Sequence, residues 1–499
     1  MELASYAIRT AAIRGAEAIP VMVEVSMSKS LPGVTIVGMA DAAVMEARHR
    51  VRCAFRELGF QWPRGHVTVN LAPSEVKKTG TGFDLPIAVA ILACTGQIPA
   101  TDLDACMFVG ELGLRGEVTD VRGLVAYDLL AEQQGLVLVG PTGALRTGDG
   151  ETRVIRSLAQ MRRGVGELPP AVPYQIDDGS WNDGSESLDF SDVVDQELAK
   201  RAFVIAAAGG HGLLMVGPPG AGKSMMAKRM PTILPPLTEE ERAEALLVHS
   251  IAGQDLGSLL RGQRPFRAPH HGISVGGLVG GGRPVLPGEV SLAHRGVLFL
   301  DELPQFGPSV LQSLRQPLED HVVRVVRVDG TYVFPCDFML VAAANPCPCG
   351  YLGDPDHACS CSASRIQSYQ ARIGGPLMDR IDVLVDVPRP SSARIIDGEP
   401  GTSSHDMAEQ VTKARAYGSW RRSRAGEEKA DRQRGVPELG LDAQARATLE
   451  GTARRLGLGG RNIVRIARVA RTIADLAEHE FVGREDIVEA CAYRTRATL

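Results

Sequence analysis

The sequence contains no uninterrupted run of about 18 apolar residues, the length that a helix needs to cross a bilayer. Its first stretch, MELASYAIRTAAIRG, lacks the continuous apolar segment of a secretion signal. Basic residues are not in excess, because 54 Lys and Arg stand against 59 Asp and Glu and give a formal net charge of -5. These absences argue against a helical membrane protein and a uniformly basic nucleic-acid binder, although a local basic surface needs no positive net charge. We expect a cytoplasmic protein.

The bulk composition is that of a globular protein, with 44% hydrophobic and 23% charged residues. A chain of 499 residues is too long for a single hydrophobic core, so we expect an α/β multidomain protein. The pattern of the sequence predicts a first α/β domain at 1–165, a linker at 166–188, a second α/β domain at 189–390 and a C-terminal helical domain at 391–499.

The first domain alternates between two patterns. Extended apolar runs lie at 19–25, 34–37 and 66–71, and helical patterns lie at 45–58 and 85–93, which together predict a mixed α/β fold. Prolines followed by acidic and polar residues then replace the apolar pattern, as is usual in a linker.

The second domain has strand patterns at 213–216, 296–300 and 338–343 that alternate with helices, which predicts a doubly wound sheet. Beyond it, charged segments carry apolar residues at helical spacing and predict a small α-helical domain. These segments lie at 404–418, 441–456, 461–478 and 484–497.

A glycine-rich octet follows the apolar strand at 213–216 and opens a helix that we expect Pro231 to end. Strand, glycine-rich turn and helix in this order are the setting of a phosphate-binding P-loop. Backbone N–H groups of such a turn surround phosphate oxygens, while its lysine reaches the β/γ-phosphates and its serine reaches Mg²⁺. We therefore predict nucleoside triphosphate binding by Gly217, Pro218, Pro219, Gly220, Ala221, Gly222, Lys223 and Ser224.

Two carboxylates, Asp301 and Glu302, end a later buried strand. An acid at the C-terminal end of such a strand lies beside the P-loop. We predict that Asp301 holds Mg²⁺ with Ser224 and that Glu302 polarises the attacking water. A third strand ends at Asn345, whose amide would orient the same water; a turn or capping asparagine is the alternative.

Four of the nine cysteines, Cys347, Cys349, Cys359 and Cys361, fall within fifteen residues. In a cytosolic chain such a cluster suggests a metal before a disulfide. The thiolates could hold Zn²⁺ tetrahedrally, with His357 as a spare ligand. Because the C-x-C spacing is less usual than C-x-x-C, reduced thiols in a surface loop are the alternative.

Several further segments are typical of one protein family. They are DVVDQE at 192–197, AAAGGH at 206–211, FRAPHH at 266–271, PGEVSLAH at 287–294, DELP at 301–304 and RVARTIADL at 468–476. In these segments the chain resembles the YifB/ComM family of magnesium-chelatase-like AAA+ ATPases, and the resemblance covers nearly the whole chain. It implies an AAA+ domain with a helical lid and ATP and Mg²⁺ as cofactors.

By this resemblance Asn345 is sensor 1, Arg380 is an arginine finger acting in trans, and Arg461 is the sensor 2 arginine of the lid. A finger supplied by a neighbour implies a ring of identical subunits, usually a hexamer, because the charge on the γ-phosphoryl group is neutralised only between docked subunits. The sensor 2 helix carries further arginines that could bridge to the neighbour or be solvated, at Arg465, Arg468 and Arg471.

The segments at 85–90 and 110–118 resemble the Lon-protease-like, ribosomal-S5-type fold. Lon proteases use a Ser/Lys pair in which the lysine is the base. The loop at 77–84, expected to hold the serine, contains none, and the position expected for the lysine falls near Val125. We therefore interpret this domain as non-proteolytic, a platform for assembly or DNA. Its candidate basic contacts, for which a solvated loop is the alternative, are Lys77 and Lys78.

Two insertions of the second domain are candidate polymer contacts. One, at 267–295, contains the glycine-rich loop 276–283, and the other is a predicted β-hairpin at 322–335 with an Asp-Gly turn. In the related helicases such hairpins point into the pore of the ring. Arg324 and Arg327 would meet DNA phosphates there and give sequence-independent, salt-sensitive binding. The alternative is that these arginines only cover a sheet face.

The leading hypothesis is an ATP-driven ring motor on single-stranded or branched DNA, with helicase or branch-migration activity in homologous recombination, including natural transformation. The alternatives are a magnesium-chelatase-like motor subunit that remodels a partner protein, an ATP-dependent protease and a nucleotide-switched assembly platform. The Lon-like domain favours the DNA motor over the chelatase subunit, and the missing Ser/Lys pair weighs against the protease.

Overall fold

A computed structural model of the chain describes residues 5–141, 150–172, 188–372, 375–378, 380–397, 401–426 and 429–494. The predicted linker lies mostly outside the described residues, since 173–187 are not among them. Within the described residues no helix is both long and apolar enough to pass through a bilayer. Short 3₁₀ helices lie at Leu103–Ala105, Leu158–Arg163, Val165–Glu167, Phe190–Asp192, Leu303–Gln305, Asp431–Gln433 and Val436–Leu439.

The first domain has the mixed α/β character that its sequence predicts. Its described elements are the strands β1 (Ser5–Arg14), β2 (Glu17–Ser28), β3 (Gly33–Val37), β4 (His66–Ala72), β5 (Cys106–Phe108), β6 (Glu111–Leu112), β7 (Val118–Thr119), β8 (Val137–Gly140) and β9 (Thr152–Val154), and the helices α1 (Ala42–Leu58), α2 (Asp84–Cys94) and α3 (Leu124–Gln133). Seven strands form one sheet in the order β3-β4-β2-β1-β5-β8-β9, while β6 and β7 pair as a hairpin. The main core lies where α1 and α2 cover the sheet, and α2 is buried along its whole length.

The second domain contains a parallel sheet with helices on both faces. Its strands are β10 (Leu213–Val216), β11 (Phe266–Arg267), β12 (Gly280–Gly281), β13 (Leu286–Pro287), β14 (Val297–Leu300), β15 (Val322–Arg327), β16 (Gly330–Pro335), β17 (Met339–Ala344) and β18 (Val383–Asp386). Its helices are α4 (Glu197–Gly209), α5 (Lys223–Ile233), α6 (Glu239–Ala252), α7 (Gly257–Leu260), α8 (Val275–Val279), α9 (Glu289–Leu292), α10 (Pro308–Ser313), α11 (Arg315–Asp320), α12 (Ala363–Ala371), α13 (Gly375–Met378) and α14 (Ser392–Asp397).

The parallel sheet has five strands in the order β11-β14-β17-β10-β18. Alternate residues of β10, β14 and β17 enter two hydrophobic cores, one on each face of the sheet. Such strands are buried on both sides, which explains why their sequences are continuously apolar. Because the strands run in one direction, the residues that follow β10, β14 and β17 meet at the same edge.

The C-terminal helices are α15 (Ser404–Arg424), α16 (Ala443–Leu456), α17 (Gly460–Leu476) and α18 (Arg484–Ala492). They pack on α4 and α5 and share one hydrophobic core with that face of the parallel sheet. Predicted segment 484–497 ends earlier as a helix, at Ala492, and 495–499 lie outside the described residues.

Three arginines of α17, Arg465, Arg468 and Arg471, have partners within the chain, which corrects the expectation that they are solvated or bridge to a neighbour. Arg471 is fully buried and donates to the carbonyl oxygens of His479 and Glu480 at 2.6 and 3.0 Å, with an ion pair to Asp475 at 2.9 Å. In the same helix, Arg468 donates to a lid carbonyl oxygen at 2.8 Å. The spacing of apolar residues in the sequence predicts the helix, but it does not predict which distant groups the arginines contact.

The first domain docks on the second at two places. In one, α3 packs against α6, and the N–H of Gly123 donates to the carbonyl of Ser250 at 3.0 Å. In the other, the N–H of Ala16 donates to the carbonyl of Val333 in β16 at 2.8 Å. A Cβ on Gly15, whose φ is +65°, would lie 2.6 Å from the backbone of Val333, so this approach requires glycine.

Candidate active site

The glycine-rich turn lies between β10 and α5 at the C-terminal edge of the parallel sheet. Gly220 and Gly222 have φ values of 79° and 87°, a left-handed conformation that suits glycine. Gly217 approaches the chain beyond β18 so closely that a Cβ there would lie 2.0 Å from the carbonyl oxygen of Val387. The turn therefore needs glycine both for its conformation and for its packing.

Helix α5 continues to Ile233, so the expectation that Pro231 ends it is wrong. Proline lacks the N–H that would bond to the preceding turn, but in the last turn of a helix this removes a single hydrogen bond. The hydroxyl of Thr232 donates to the carbonyl of Arg229 at 2.7 Å in the same turn.

Lys223 points into the centre of the turn. Its Nζ donates to the carbonyl oxygens of Gly217 and Pro218 at 2.7 and 2.8 Å and to Oδ1 of Asn345 at 3.2 Å. Burial lowers the pKa of Lys223 to about 8, although Asp301 and Glu302 act in the opposite direction. The positive charge of Lys223 is therefore held close to where a phosphate would bind. Burial of this charge costs desolvation free energy, which a bound anion would offset.

This pKa predicts a pH dependence of ATP affinity. Above about pH 8 the free protein holds Lys223 increasingly neutral, whereas bound phosphate favours the charged amine, so binding must take up a proton. We expect the affinity for a non-hydrolysable ATP analogue to be flat below pH 8 and to fall by up to about ten-fold per pH unit above it. Isothermal titration calorimetry at pH values below and above 8 measures this affinity. Lys223→Arg is the control, since arginine stays charged, and a flat wild-type profile would contradict the prediction.

The two predicted carboxylates follow β14 at the same edge. Ser224 Oγ donates to Asp301 Oδ2 at 2.5 Å, which brings together the two predicted Mg²⁺ ligands. The backbone N–H of Glu302 donates to Asp301 Oδ1 at 2.9 Å, and Glu302 has a left-handed φ of 51°. Oδ1 of Asp301 is therefore held by the backbone, whereas Oδ2 faces Ser224. The half-exposed Glu302 carboxylate lies 3.7 Å from Nδ1 of His271.

Asn345 lies next to Lys223, as the parallel strands require. The hydroxyl of Tyr369 in α12 hydrogen-bonds to the backbone of Asn345, and burial raises the pKa of this tyrosine. Neither Tyr369 nor His271 has a predicted role. The helix of Tyr369 follows the cysteine-rich loop, and its sequence does not show that it packs near the sheet. The positions of Tyr369 and His271 depend on tertiary contacts.

Arg380 and Arg461 do not join this group within one chain. Arg380 precedes β18, whose first residue, Val383, lies opposite Leu213 at the start of β10, whereas the P-loop follows the end of β10. Arg380 therefore lies at the other edge of the sheet, and Arg461 lies near it, since its charge contributes to the lowered pKa of Arg380. Burial, with Arg465, Arg461 and Arg315 nearby, lowers the pKa of Arg380. Its guanidinium contacts the carboxylate of Glu319 in α11.

The four clustered cysteines converge as predicted for a metal site. Their Sγ atoms all lie within 4.8 Å of one another, and the pairs formed by Cys347, Cys349 and Cys359 are 3.3 to 3.7 Å apart. A tetrahedral Zn²⁺ with Zn–S bonds of about 2.3 Å requires sulfurs about 3.8 Å apart. Backbone N–H groups of Tyr351 and Ser360 lower the pKa of Cys349 to about 6. The donor set fits zinc.

His357 is not part of the cysteine cluster, so the expectation that it is a spare ligand is wrong. Its ring stacks on Tyr351 at 5.0 Å between centroids, and its Nδ1 lies 3.2 Å from a guanidinium nitrogen of Arg389. The cysteine-rich loop also reaches the P-loop, because a Cβ on Gly350 would lie 2.5 Å from Pro219 Cδ.

The two candidate lysines of the first domain are not free basic contacts. Lys78 is fully buried, and its Nζ donates to the carbonyl of Pro73, so the expectation for this residue is wrong. Lys77 Nζ lies 3.1 Å from Asp329 Oδ2 at the turn of the β15–β16 hairpin. The carbonyl of Asp329 accepts from Arg14 at 3.2 Å, and the hydrogen bond from Lys77 lowers the pKa of Asp329.

Arg324 and Arg327 lie on this hairpin but on opposite faces of it. They are three positions apart in one strand, and Arg324 pairs with Val333 whereas Arg327 pairs with Gly330. Arg324 is exposed and lies 3.6 Å from Asp320. The guanidinium of Arg327 lies beside the glycine-rich loop, 3.2 Å from where a Cβ on Gly281 would be. Their contact with DNA stays a prediction.

The positions expected for a protease dyad have other contacts. In the loop at 77–84, the buried Asp84 binds Arg50 through two hydrogen bonds of 2.6 and 2.9 Å. Val125 is buried, and its N–H approaches Oγ of Ser250 in the second domain at 3.4 Å. This position therefore serves the contact between domains.

Family models and full-length relatives match this chain. The model described as "Magnesium chelatase, subunit ChlI" matches 189–395, "Subunit ChlI of Mg-chelatase" matches 23–141, and "Magnesium chelatase, subunit ChlI C-terminal" matches 401–494. The chain is 39% identical to competence protein ComM of Haemophilus influenzae, over 97% of this chain and 96% of that protein. It is 38% identical to protein YifB of Escherichia coli, over 98% and 96%.

Similarity to a chelatase subunit is more restricted. The magnesium-chelatase 67 kDa subunit of Chlorobaculum parvum is 30% identical over 162 residues, which are 32% of this chain and 23% of that protein. The resemblance to the ComM and YifB proteins thus extends through the whole domain arrangement, whereas the match to the chelatase subunit covers only a part of it.

Proposed function

The chain belongs to the YifB/ComM family of magnesium-chelatase-like proteins, and we propose that it is an ATP-hydrolysing ring motor that acts on DNA. Family membership supports an AAA+-type ATPase. The observation that carries the proposal is the convergence of Lys223, Ser224, Asp301 and Asn345 at the end of three parallel strands. This arrangement combines a phosphate-binding charge with a pair of oxygens suited to Mg²⁺.

In the proposed reaction, the P-loop backbone and Lys223 hold the phosphates of ATP. Ser224 and Asp301 would hold Mg²⁺, which supplies charge neutralisation when bound. Glu302 accepts a proton from the attacking water, and Asn345 orients that water. Nucleotide binding and activation of the attacking water would thus both be performed by residues of one subunit.

We further propose that Arg380 and Arg461 complete the site of the neighbouring subunit. They lie at the edge of the sheet opposite the P-loop, so in a closed ring they would face a neighbour's nucleotide. Glu319 holds Arg380 in the isolated subunit. Hydrolysis would then depend on assembly of the ring, which mixing of variant subunits tests. A homohexamer is the expected ring.

DNA is the proposed substrate because the full-length relative is named a competence protein and because the hairpin with Arg324 projects an exposed, basic side chain. Single-stranded or branched DNA, with helicase or branch-migration activity in recombination or natural transformation, is the specific proposal. The first domain is proposed to have a Lon-like, non-proteolytic fold, consistent with the buried Val125 at the position expected for a lysine.

The test measures ATP hydrolysis by the full chain with forked DNA, four-way-junction DNA and no DNA, at increasing salt. We expect DNA to bind, to stimulate hydrolysis and to be released as salt rises, because phosphate contacts release counterions. If ATP is hydrolysed but DNA neither binds nor stimulates, the DNA proposal fails and a motor acting on a protein partner is favoured. If ATP is not hydrolysed under any of these conditions, the proposal fails as a whole.

We also propose that Cys347, Cys349, Cys359 and Cys361 bind Zn²⁺ and fix the loop that packs on Pro219. Protein purified under reducing conditions is expected to contain about one zinc per chain. Cys359→Ser should lose zinc and weaken ATP binding, because the loop then loses its hold on the P-loop. Inductively coupled plasma mass spectrometry measures the metal.

The matched control for zinc is Cys53→Ser, which changes a cysteine of α1 in the first domain and should keep the metal. Wild-type protein that contains no zinc after expression in zinc-supplemented medium would contradict the metal assignment. Zinc loss in Cys359→Ser with unchanged ATP affinity would instead contradict only the link to the P-loop.

A further inference from the structure

The exposed side of α1, in the first domain, carries an arginine row that consists of Arg48, Arg52 and Arg56. The three side chains recur at every fourth position and are all exposed. Residues at this spacing lie on one side of a helix, so the row extends over about 12 Å along α1. The side of the helix that enters the core is formed instead by apolar residues such as Val51 and Phe55.

The arginine row lacks the carboxylate partners that its neighbour in the same helix has. Arg50 lies between the row and the core and pairs with Asp84 at 2.6 Å. Among the described residues, no acidic side chain forms an ion pair with the row. Of the two glutamates in α1, Glu46 contacts Arg50 at 3.5 Å, and Glu57 lies about 100° around the helix from Arg56. Three positive charges are therefore left without compensation.

Such a row is unfavourable for the isolated protein. Like charges four positions apart repel each other and destabilise a helix. Only Arg56, in the last turn, is favoured by the helix dipole. The whole chain has a formal net charge of -5, so the row does not reflect a generally basic composition. A bound polyanion would remove the repulsion and supply the missing partners.

An aromatic cluster at the C-terminal end of α1 orders part of this basic surface. The guanidinium of Arg52 lies 5.9 Å from the ring centroid of Trp62, and that of Arg162 lies 4.3 Å from the centroid of Phe60. Both rings pack on Phe55, with centroids 5.4 and 5.7 Å apart. Because a cation over an aromatic face is attracted to it, the cluster holds these two guanidinium groups in place.

The basic surface continues beyond the end of α1. Arg162 is exposed and donates to the carbonyl of Leu58, the last residue of the helix, at 2.6 Å. The turn between β6 and β7 packs at the same place, since a Cβ on Gly116 would lie 2.4 Å from Cδ1 of Leu58. Arg115 in this turn is exposed. The basic surface of the first domain thus comprises Arg48, Arg52, Arg56, Arg115 and Arg162.

We propose that this basic surface binds the phosphate backbone of duplex DNA. Guanidinium groups pair with phosphate oxygens through two parallel hydrogen bonds. Proteins that bind single strands offer aromatic rings on which the bases stack, but here arginines already lie over the faces of Trp62 and Phe60. Contacts to phosphates alone carry no sequence information, so the binding is independent of sequence.

The inference rests on the proposed action on DNA and names the part of the substrate that the first domain holds. A branched substrate has duplex arms as well as single strands. The first domain would bind a duplex arm, and the β15–β16 hairpin would be left for a single strand. This placement replaces Lys77 and Lys78 as the basic contacts of the first domain, because both lysines are engaged within the chain.

The experiment combines Arg48→Gln, Arg52→Gln and Arg56→Gln in the full chain and measures binding of labelled duplex and single-stranded DNA by fluorescence anisotropy, with a non-hydrolysable ATP analogue present. Each lost phosphate contact lowers the slope of log affinity against log salt by about 0.9, so the duplex slope should fall by about 2.7. At about 0.1 M salt the duplex affinity should fall by about 10²- to 10³-fold. Affinity for the single strand should stay close to the wild-type value.

Two controls separate phosphate binding from structural damage and from net charge. Lysine at the same three positions keeps the charges and should keep most of the duplex affinity and the salt slope. A combination of Arg454→Gln, Arg455→Gln and Arg484→Gln removes as many exposed charges from the lid and should bind duplex as the wild type does. The melting temperature of the triple glutamine variant of α1 should not fall, because its repulsion is removed.

Unchanged duplex affinity and salt slope in the triple glutamine variant of α1 would overturn the inference, and so would equal losses for duplex and single strand. If polyglutamate displaced labelled duplex as effectively as unlabelled duplex does, the surface would be assigned to an acidic protein instead. These outcomes leave the proposed function standing. Wild-type protein that binds neither form of DNA would contradict the proposed action on DNA as well.

Discussion

Arg380→Ala is expected to lower kcat for ATP hydrolysis by about 10³- to 10⁵-fold, the contribution of an arginine finger to phosphoryl transfer. The charge that develops on the transferred group would lack its neutralising partner, while ATP would still bind, because Lys223 and the P-loop lie at the other edge of the sheet. Steady-state hydrolysis and equilibrium binding of a labelled ATP analogue separate these two effects.

Mixing subunits tests whether Arg380 acts in trans. Arg380→Ala keeps an intact P-loop and Lys223→Ala keeps an intact Arg380, so neither variant forms a complete site alone. In a randomly mixed ring roughly a quarter of the interfaces would combine the two intact halves and recover hydrolysis. A mixture that assembles but stays inactive would assign Arg380 to its own subunit or to a structural role. Arg380→Lys, which keeps the charge but not the planar fork, should be intermediate.

Glu302→Gln is expected to lower the rate of the chemical step by about 10²- to 10⁴-fold, as for loss of a general base. Glutamine has nearly the same shape but accepts no proton from water at neutral pH. Asp301 and Ser224 keep their contact in this variant, so ATP and Mg²⁺ should remain bound and accumulate unhydrolysed. Single-turnover measurements with radiolabelled ATP determine the rate.

Asp301→Asn is the matched control for this prediction. It changes the neighbouring acid and should weaken Mg²⁺ binding, so that excess Mg²⁺ partly restores hydrolysis, whereas excess Mg²⁺ should not restore Glu302→Gln. Normal turnover by Glu302→Gln would show that another group activates the water.

The sequence predicts features whose signals are local. The P-loop follows from one glycine-rich octet between a strand and a helix, and Asp301 and Glu302 follow from an apolar run that ends in acids. Because parallel strands end at one edge, their meeting with Lys223 follows from the fold class. The helical spacing of 461–478 likewise predicts α17 to within two residues at each end.

Features that depend on distant partners are not predictable in this way. The pairing of Lys77 with Asp329 joins two domains across more than two hundred residues of sequence. The burial of the charged Lys78 has no signal in the sequence either. His271 was visible in the sequence, but the strand before it, β11, has two residues and gives no periodic signal. Its contact with Glu302 emerges only when β11 is placed beside β14.

The hydrophobic core shared by the lid helices and the face of the sheet that carries α4 and α5 has a mechanical consequence. Helix α5 begins at Lys223, the residue proposed to bind phosphate, and α17 begins beside Arg461, yet both helices enter the same close-packed interior. Such an interior transmits displacement rather than absorbing it. Each subunit would therefore move as a rigid body. A displacement at its own nucleotide site would be transmitted to the arginines that are proposed to act at its neighbour's site.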